Sequence, residues 1–100
     1  MYNMSNLTKL KLLDENSPEA MKAFWAFDKA AFAPGAIDTL NKQLMAVAVA
    51  LTTQCPYCIQ ACQGRPFCGA TDEMLAETAT IAAAMRAGGA ITHASHLFKD

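Results

Sequence analysis

The chain has 100 residues, which limits it to one domain. Eight Lys and Arg face nine Asp and Glu, a formal net charge of −1, and no basic patch with interleaved aromatics occurs, which argues against a nucleic-acid partner. Apolar residues make up 53% and charged residues 17%, an apolar excess for a small domain that points to a covered subunit interface in a homo-oligomer, the plain alternative being an alanine-rich helical core.

The N-terminus, MYNMSNLTKLK, is too polar for a secretory signal. Residues 1–16 are expected to form an N-terminal arm that packs on a neighbour. Ser17-Pro18 fits a helix start, with Ser as N-cap and Pro at the first helical position. That helix should run to about Phe32, present Met21, Phe24 and Ala31 at helical spacing, and end at Pro34-Gly35.

Asp38 can cap a second helix, Thr39 to Thr52, with Leu40, Leu44, Val47 and Leu51 on one face. The uncharged run that begins at Gln43 is broken by Gln54, Cys55 and Pro56, so it does not read as a membrane span. A third helix starts near Pro56, carries Cys58 and Cys62, and is weakened by Gly64 and Pro66. Thr71 is a good N-cap for a fourth, and Asp72 and Glu73 suit its positive end. Its apolar face would hold Leu75, Ala79, Ala82 and Met85, and Gly88-Gly89 would close it. A last helix, Ala90 to Phe98, would carry His93 and His96. The expectation is a single all-α domain, a bundle of about five helices over residues 1–100.

The chemistry is concentrated in QLMAVAVALTTQCPYCIQAC, Gln43 to Cys62. Without a signal sequence the expected compartment is the cytoplasm, where cysteines point to reactive or metal-binding thiols rather than stapling disulfides. Cys55 and Cys58 form a C-x-x-C pair at a helix mouth. Unpaired N–H groups and the helix dipole favour thiolate there, and two intervening residues allow a reversible disulfide. No βαβ pattern precedes the pair, which disfavours a thioredoxin fold. Cys62 lies one turn after Cys58 on the same face, about 5–6 Å between Cβ atoms, too far for an undistorted disulfide. Cys68 follows a bendable G-R-P-F segment, so it is a second thiol that could pair with Cys62. Zinc held by all four cysteines is the rival, but their spacing does not resemble two separated knuckles. No metal and no cofactor are expected. Buried small hydrophobes are the plain alternative for Cys58 and Cys62.

His93 and His96 share a helical face and are candidates for a proton shuttle, a metal pair or a wet surface. Arg86 would meet a helix C-terminus or an interface carboxylate, and Glu77 a solvated face. Tyr57 would shield the thiols or line a channel, and Trp25 and the phenylalanines would pack in the core or between subunits.

Beyond these readings, the chain resembles the carboxymuconolactone decarboxylase family, and within it the AhpD-type alkylhydroperoxidase branch. The resemblance rests on LNKQLMAVAVALTTQCPYCIQAC and GATDEMLAETATIAAAMRAGGAITHASH, and covers about Leu40 to Leu97. It implies an all-helical core that assembles as trimers or hexamers. It also implies that Cys58 attacks a hydroperoxide, that Cys55 resolves the sulfenic acid, and that a thiol or dithiol donor reduces the disulfide. Peroxidases of the family carry a glutamate twelve residues before the first cysteine and a histidine four after the second. Here those positions hold Gln43 and Cys62. An amide is no base near neutral pH, so the proton relay is altered, and Cys62 would act as a thiolate base or as a third redox thiol. A thiol-dependent peroxidase or disulfide oxidoreductase is therefore expected. Its alternatives are a non-catalytic redox-sensing or scaffold oligomer, and a lactone decarboxylase, which would not need the C-x-x-C pair.

Overall fold

In this computed structural model residues 2–63 and 69–100 are described, the side chains of 61–63 excepted. A 3-10 helix, Met4–Leu10, runs directly into α1, Lys11–Asn16. Then come α2, Pro18–Phe32, α3, Thr39–Thr53, α4, Pro56–Gln63, and α5, Asp72–His93. A short 3-10 turn, Ala94–Leu97, follows. The all-α expectation holds, and no strand occurs among the described residues. No described helix is long and apolar enough to cross a membrane.

Local chemistry explains most boundaries. Asp38 caps α3, its Oδ1 accepting from the Asn41 N–H at 2.8 Å. Thr71 caps α5, its Oγ1 accepting from the Met74 N–H at 3.2 Å. Ser17 differs from expectation, because it makes no side-chain cap to α2. It also caps the C-terminus of α1, its N–H donating to the Leu13 carbonyl at 2.8 Å. Pro18 sits at the start of α2 and has no N–H to satisfy. The C-terminus of α2 is closed by Lys42, whose Nζ donates to the carbonyls of Ala31 at 3.0 Å and Ala33 at 2.6 Å.

Gly88 and Gly89 do not end α5, which continues to His93. A glycine stop needs a left-handed residue, and neither glycine has positive φ. The separate last helix expected from Ala90 is therefore the end of α5 and the 3-10 turn after it. The count of five α-helices is reached instead by α1, inside the segment expected as an arm.

The core lies where α3 packs on α5 and α4. Gln43, Val47 and Ala50 of α3 are buried, as are Thr78 and Ala82 of α5. Their spacings of three and four residues make one face on each helix, and the small side chains let the two helices approach. Thr78 is satisfied by its own helix, its Oγ1 donating to the Met74 carbonyl at 2.8 Å. Met85, expected on the apolar face, is exposed instead. Trp25, Phe24, Phe27 and Phe98 are exposed too, so within one chain they do not serve as core.

Candidate active site

The first cysteine is placed by the end of α3. Gln54 adopts φ 58 and ψ 39, the one left-handed non-glycine among the described residues. That turn lets the Cys55 N–H donate back to the Ala50 carbonyl at 3.2 Å. It also sends α4 back against α3. Arg86 of α5 secures the junction, Nη1 donating to the Thr52 carbonyl at 2.9 Å. Arg86 thus meets the C-terminus of α3, not the end of its own helix that was expected.

Cys55 then acts as the cap of α4. Its carbonyl accepts the Ile59 N–H at 3.1 Å, and its Sγ accepts the Cys58 N–H at 3.4 Å. The backbone bond from Cys58 does most to lower the Cys55 thiol below its ordinary pKa. The Cys58 side chain adds to it, partial burial opposes it, and the Tyr57 N–H helps. Both residues are thiols, Cys55 half-buried and Cys58 exposed. The arrangement can hold a thiolate at Cys55 beside a reachable sulfur at Cys58.

Tyr57, between them, anchors the N-terminal segment. Its hydroxyl accepts from Asn6 Nδ2 at 3.1 Å, and its ring meets Tyr2 edge-on at 5.7 Å between centroids. Behind it lies an open groove of about 530 Å³. The N-terminal segment contributes Leu7, Leu10 and Leu13 to it, and α2 contributes Met21, Phe24, Trp25 and Asp28. Tyr57 and Cys58 form the end belonging to α4. Trp25 is steadied by α1, its Nε1 donating to Asp14 Oδ1 at 2.8 Å.

Gln43 is 1% exposed, and its Oε1 finds no hydrogen-bond donor among the described residues. A buried acceptor without a partner costs about 1–3 kcal/mol. The side chain of Cys62 and all of Cys68 lie outside the described residues, and with them the Cys62–Cys68 bridge and the four-thiolate site. Among the described residues no group of three or more His, Cys, Asp or Glu could hold a metal. His93 and His96 are exposed on the last turn of α5 and the turn after it, their rings 5.6 Å apart. His93 Nδ1 lies 3.1 Å from the Gly89 carbonyl of its own helix, and neither histidine lines the groove at Cys58. Glu77 is exposed, as a solvated face requires.

Asp28 also lines the groove, and it belongs to none of the motifs singled out above. A signal for it exists in the sequence: an acid seven residues after Met21 and four before Phe32, on the half-buried stripe of α2.

Fold and pair together define a small all-helical protein with a dithiol at a helix mouth, open to an apolar groove. The chain belongs to the carboxymuconolactone decarboxylase family, whose model matches residues 18–100. That family includes AhpD peroxidases and decarboxylases. The chain is 51% identical over 74 residues to "Uncharacterized protein 4 in cox locus" of Paracoccus denitrificans, a match spanning 73% of this chain and 67% of that protein. The crystal structure of an apo carboxymuconolactone decarboxylase family protein from Legionella pneumophila is similar at 36% identity and TM-score 0.74. That match covers 89% of this chain and 80% of the other. A protein from Methanobacterium thermoautotrophicum is similar at 31% identity and TM-score 0.80, over 90% of this chain and 99% of that one.

Proposed function

We propose that the chain is a thiol-dependent peroxidase or disulfide oxidoreductase that cycles Cys55 and Cys58 between dithiol and disulfide, working in the cytoplasm as a homo-oligomer. One observation carries this: Cys55 Sγ receives the Cys58 N–H while Cys58 stays exposed at the end of an apolar groove.

Cys58 attacks the hydroperoxide. The S–O bond forms, the O–O bond breaks, and sulfur loses two electrons. Cys55 thiolate, the nearest base, takes the Cys58 proton and passes it to the departing alkoxide, which leaves as alcohol. This gives Cys55 the task that Gln43 cannot perform, because a neutral amide is no base. Cys55, a thiolate again once its proton has gone to the alkoxide, then attacks the sulfenic sulfur: the S–S bond forms, the S–O bond breaks, and hydroxide leaves and takes a proton from solvent to become water. A thiol or dithiol donor returns both cysteines to thiols. Cys62 and Cys68 remain candidates for passing the disulfide onward. His93 and His96 contribute no step, since they lie off the groove.

The test is peroxide consumption by reduced protein with a dithiol donor. Turnover in the wild type and its loss in Cys58→Ser are expected. Equal turnover in Cys58→Ser would refute Cys58 as the attacking thiol. The neutral amide of Gln43, buried where the family's peroxidases carry a glutamate base, favours a second reading, a redox sensor that is oxidised once and does not turn over. One equivalent of peroxide consumed, with none thereafter despite reductant, would select it.

A further inference from the structure

The groove at Cys58 is walled by leucines, aromatics and a methionine, and among the described residues Asp28 is the one charged residue that lines it. Resting on the dithiol cycle above, we infer that Asp28 is the specificity-determining residue of this site. Its carboxylate admits thiol donors without negative charge to the Cys55–Cys58 disulfide and repels anionic ones.

Three observations support this. Asp28 lies with Met21 and Phe32 on the half-buried stripe of α2, where packing alone would place an apolar residue. Its carboxylate is engaged by no hydrogen bond or ion pair among the described residues, so no partner there offsets its charge. Asp14, the other acid closely tied to the groove wall, is bound to Trp25 Nε1 and does not line the groove. Among the described residues no lysine or arginine lines it either, so none of them offsets Asp28 in the groove.

The step it governs is thiol–disulfide exchange. A donor thiolate attacks the more exposed sulfur, Cys58. The donor–Cys58 bond forms, the Cys55–Cys58 bond breaks, and the electron pair goes to Cys55, whose Sγ is held by the Cys58 N–H. A second donor thiolate attacks the donor sulfur of this mixed disulfide and releases Cys58. The protein disulfide gains two electrons, two donor thiols become one disulfide, and their two protons end on the cysteines or in solvent. The attacking sulfur is already an anion, so a further negative charge on the donor adds repulsion from Asp28. A single unit charge near contact in water is worth about a fivefold change in rate.

The test starts from the Cys55–Cys58 disulfide made with diamide, so it does not depend on peroxide as oxidant. Reduction by cysteamine, 2-mercaptoethanol and 3-mercaptopropionate is followed, each rate taken per donor thiolate and normalised to hydroxyethyl disulfide. The expected order is cysteamine fastest and mercaptopropionate slowest, with about a fivefold spread or more, narrowed by high salt. Asp28→Asn should collapse the spread and Asp28→Glu should keep it. If the variants do not fold, the wild-type order and its salt dependence decide. No spread in the wild type, or an unchanged spread in Asp28→Asn, overturns the inference and leaves the cycle standing. A chain that diamide cannot convert to this disulfide overturns the cycle as well.

Discussion

Cys55 and Cys58 are three residues apart, yet the backbone treats them differently. Cys55 receives N–H donors at the mouth of α4, and Cys58 supplies one. Alkylation of Cys55 in Cys58→Ser should therefore titrate below the ordinary thiol value of about 8.5, because the backbone donor survives the substitution. A midpoint at or above that value would contradict the capping account. The sign for stability follows. Between the lowered value and about 8.5 the unfolded chain holds more protons on Cys55, so stability rises with pH there. This contribution is present above the ordinary value and is lost as pH falls through the lowered one. Cys55→Ser should flatten that part of a stability-versus-pH curve. Gln43 tests a different cost. Gln43→Met removes the orphaned acceptor at similar volume and should raise stability by about 1 kcal/mol, read from the denaturant midpoint. The thiol pair was legible in the sequence because its spacing is local. Asp28 was not singled out, since its importance depends on α2 and α4 sharing a groove, which no local pattern encodes.

At the scale of elements, the junction from α3 to α4 is held by Arg86 and by the left-handed Gln54. Arg86→Met should cost about 1 kcal/mol through the lost bond to the Thr52 carbonyl. It should also slow disulfide formation, as Cys55 loses its fixed position. An unchanged thermal midpoint and oxidation rate would show that the cap is dispensable. Gly88 has helical φ, and a Cβ there would meet nothing within 4 Å. Gly88→Ala should therefore stabilise α5 by about 0.5–1 kcal/mol, seen as a raised melting temperature. The starts at Asp38 and Thr71 were readable, because a capping side chain declares itself in the sequence. The end of α5 was not, because Gly-Gly permits a stop without requiring one. The break at Gln54–Pro56 was readable, but the left-handed conformation of Gln54 was not, since glutamine has no left-handed preference.

The whole chain is extended for its length. Its radius of gyration is 17.3 Å, against about 13 Å for a compact 100-residue domain. Its accessible surface is 7968 Å², roughly 2,500 Å² above the area usual for a monomer of this mass. That excess is the size of an obligate interface, in keeping with the apolar composition and with a homo-oligomer. Met45 and Ile81 are exposed on one open cavity of about 600 Å³ between α3, α5 and the loop before α3. Ile81→Asp should break the assembly, and light scattering should show its mass fall toward that of a single chain. A wild type that is monomeric at micromolar concentration would remove the interface from the account. The apolar excess makes a subunit interface an expectation from composition, but which faces it would cover depends on how the helices pack.

The central claim is that Cys55 and Cys58 form a working redox pair. Mapping disulfides by mass after one equivalent of hydroperoxide tests it most directly. The account predicts a Cys55–Cys58 bond, with one peroxide consumed per chain and both thiols restored by a reductant. Unconsumed peroxide, with both cysteines still thiols, would contradict it.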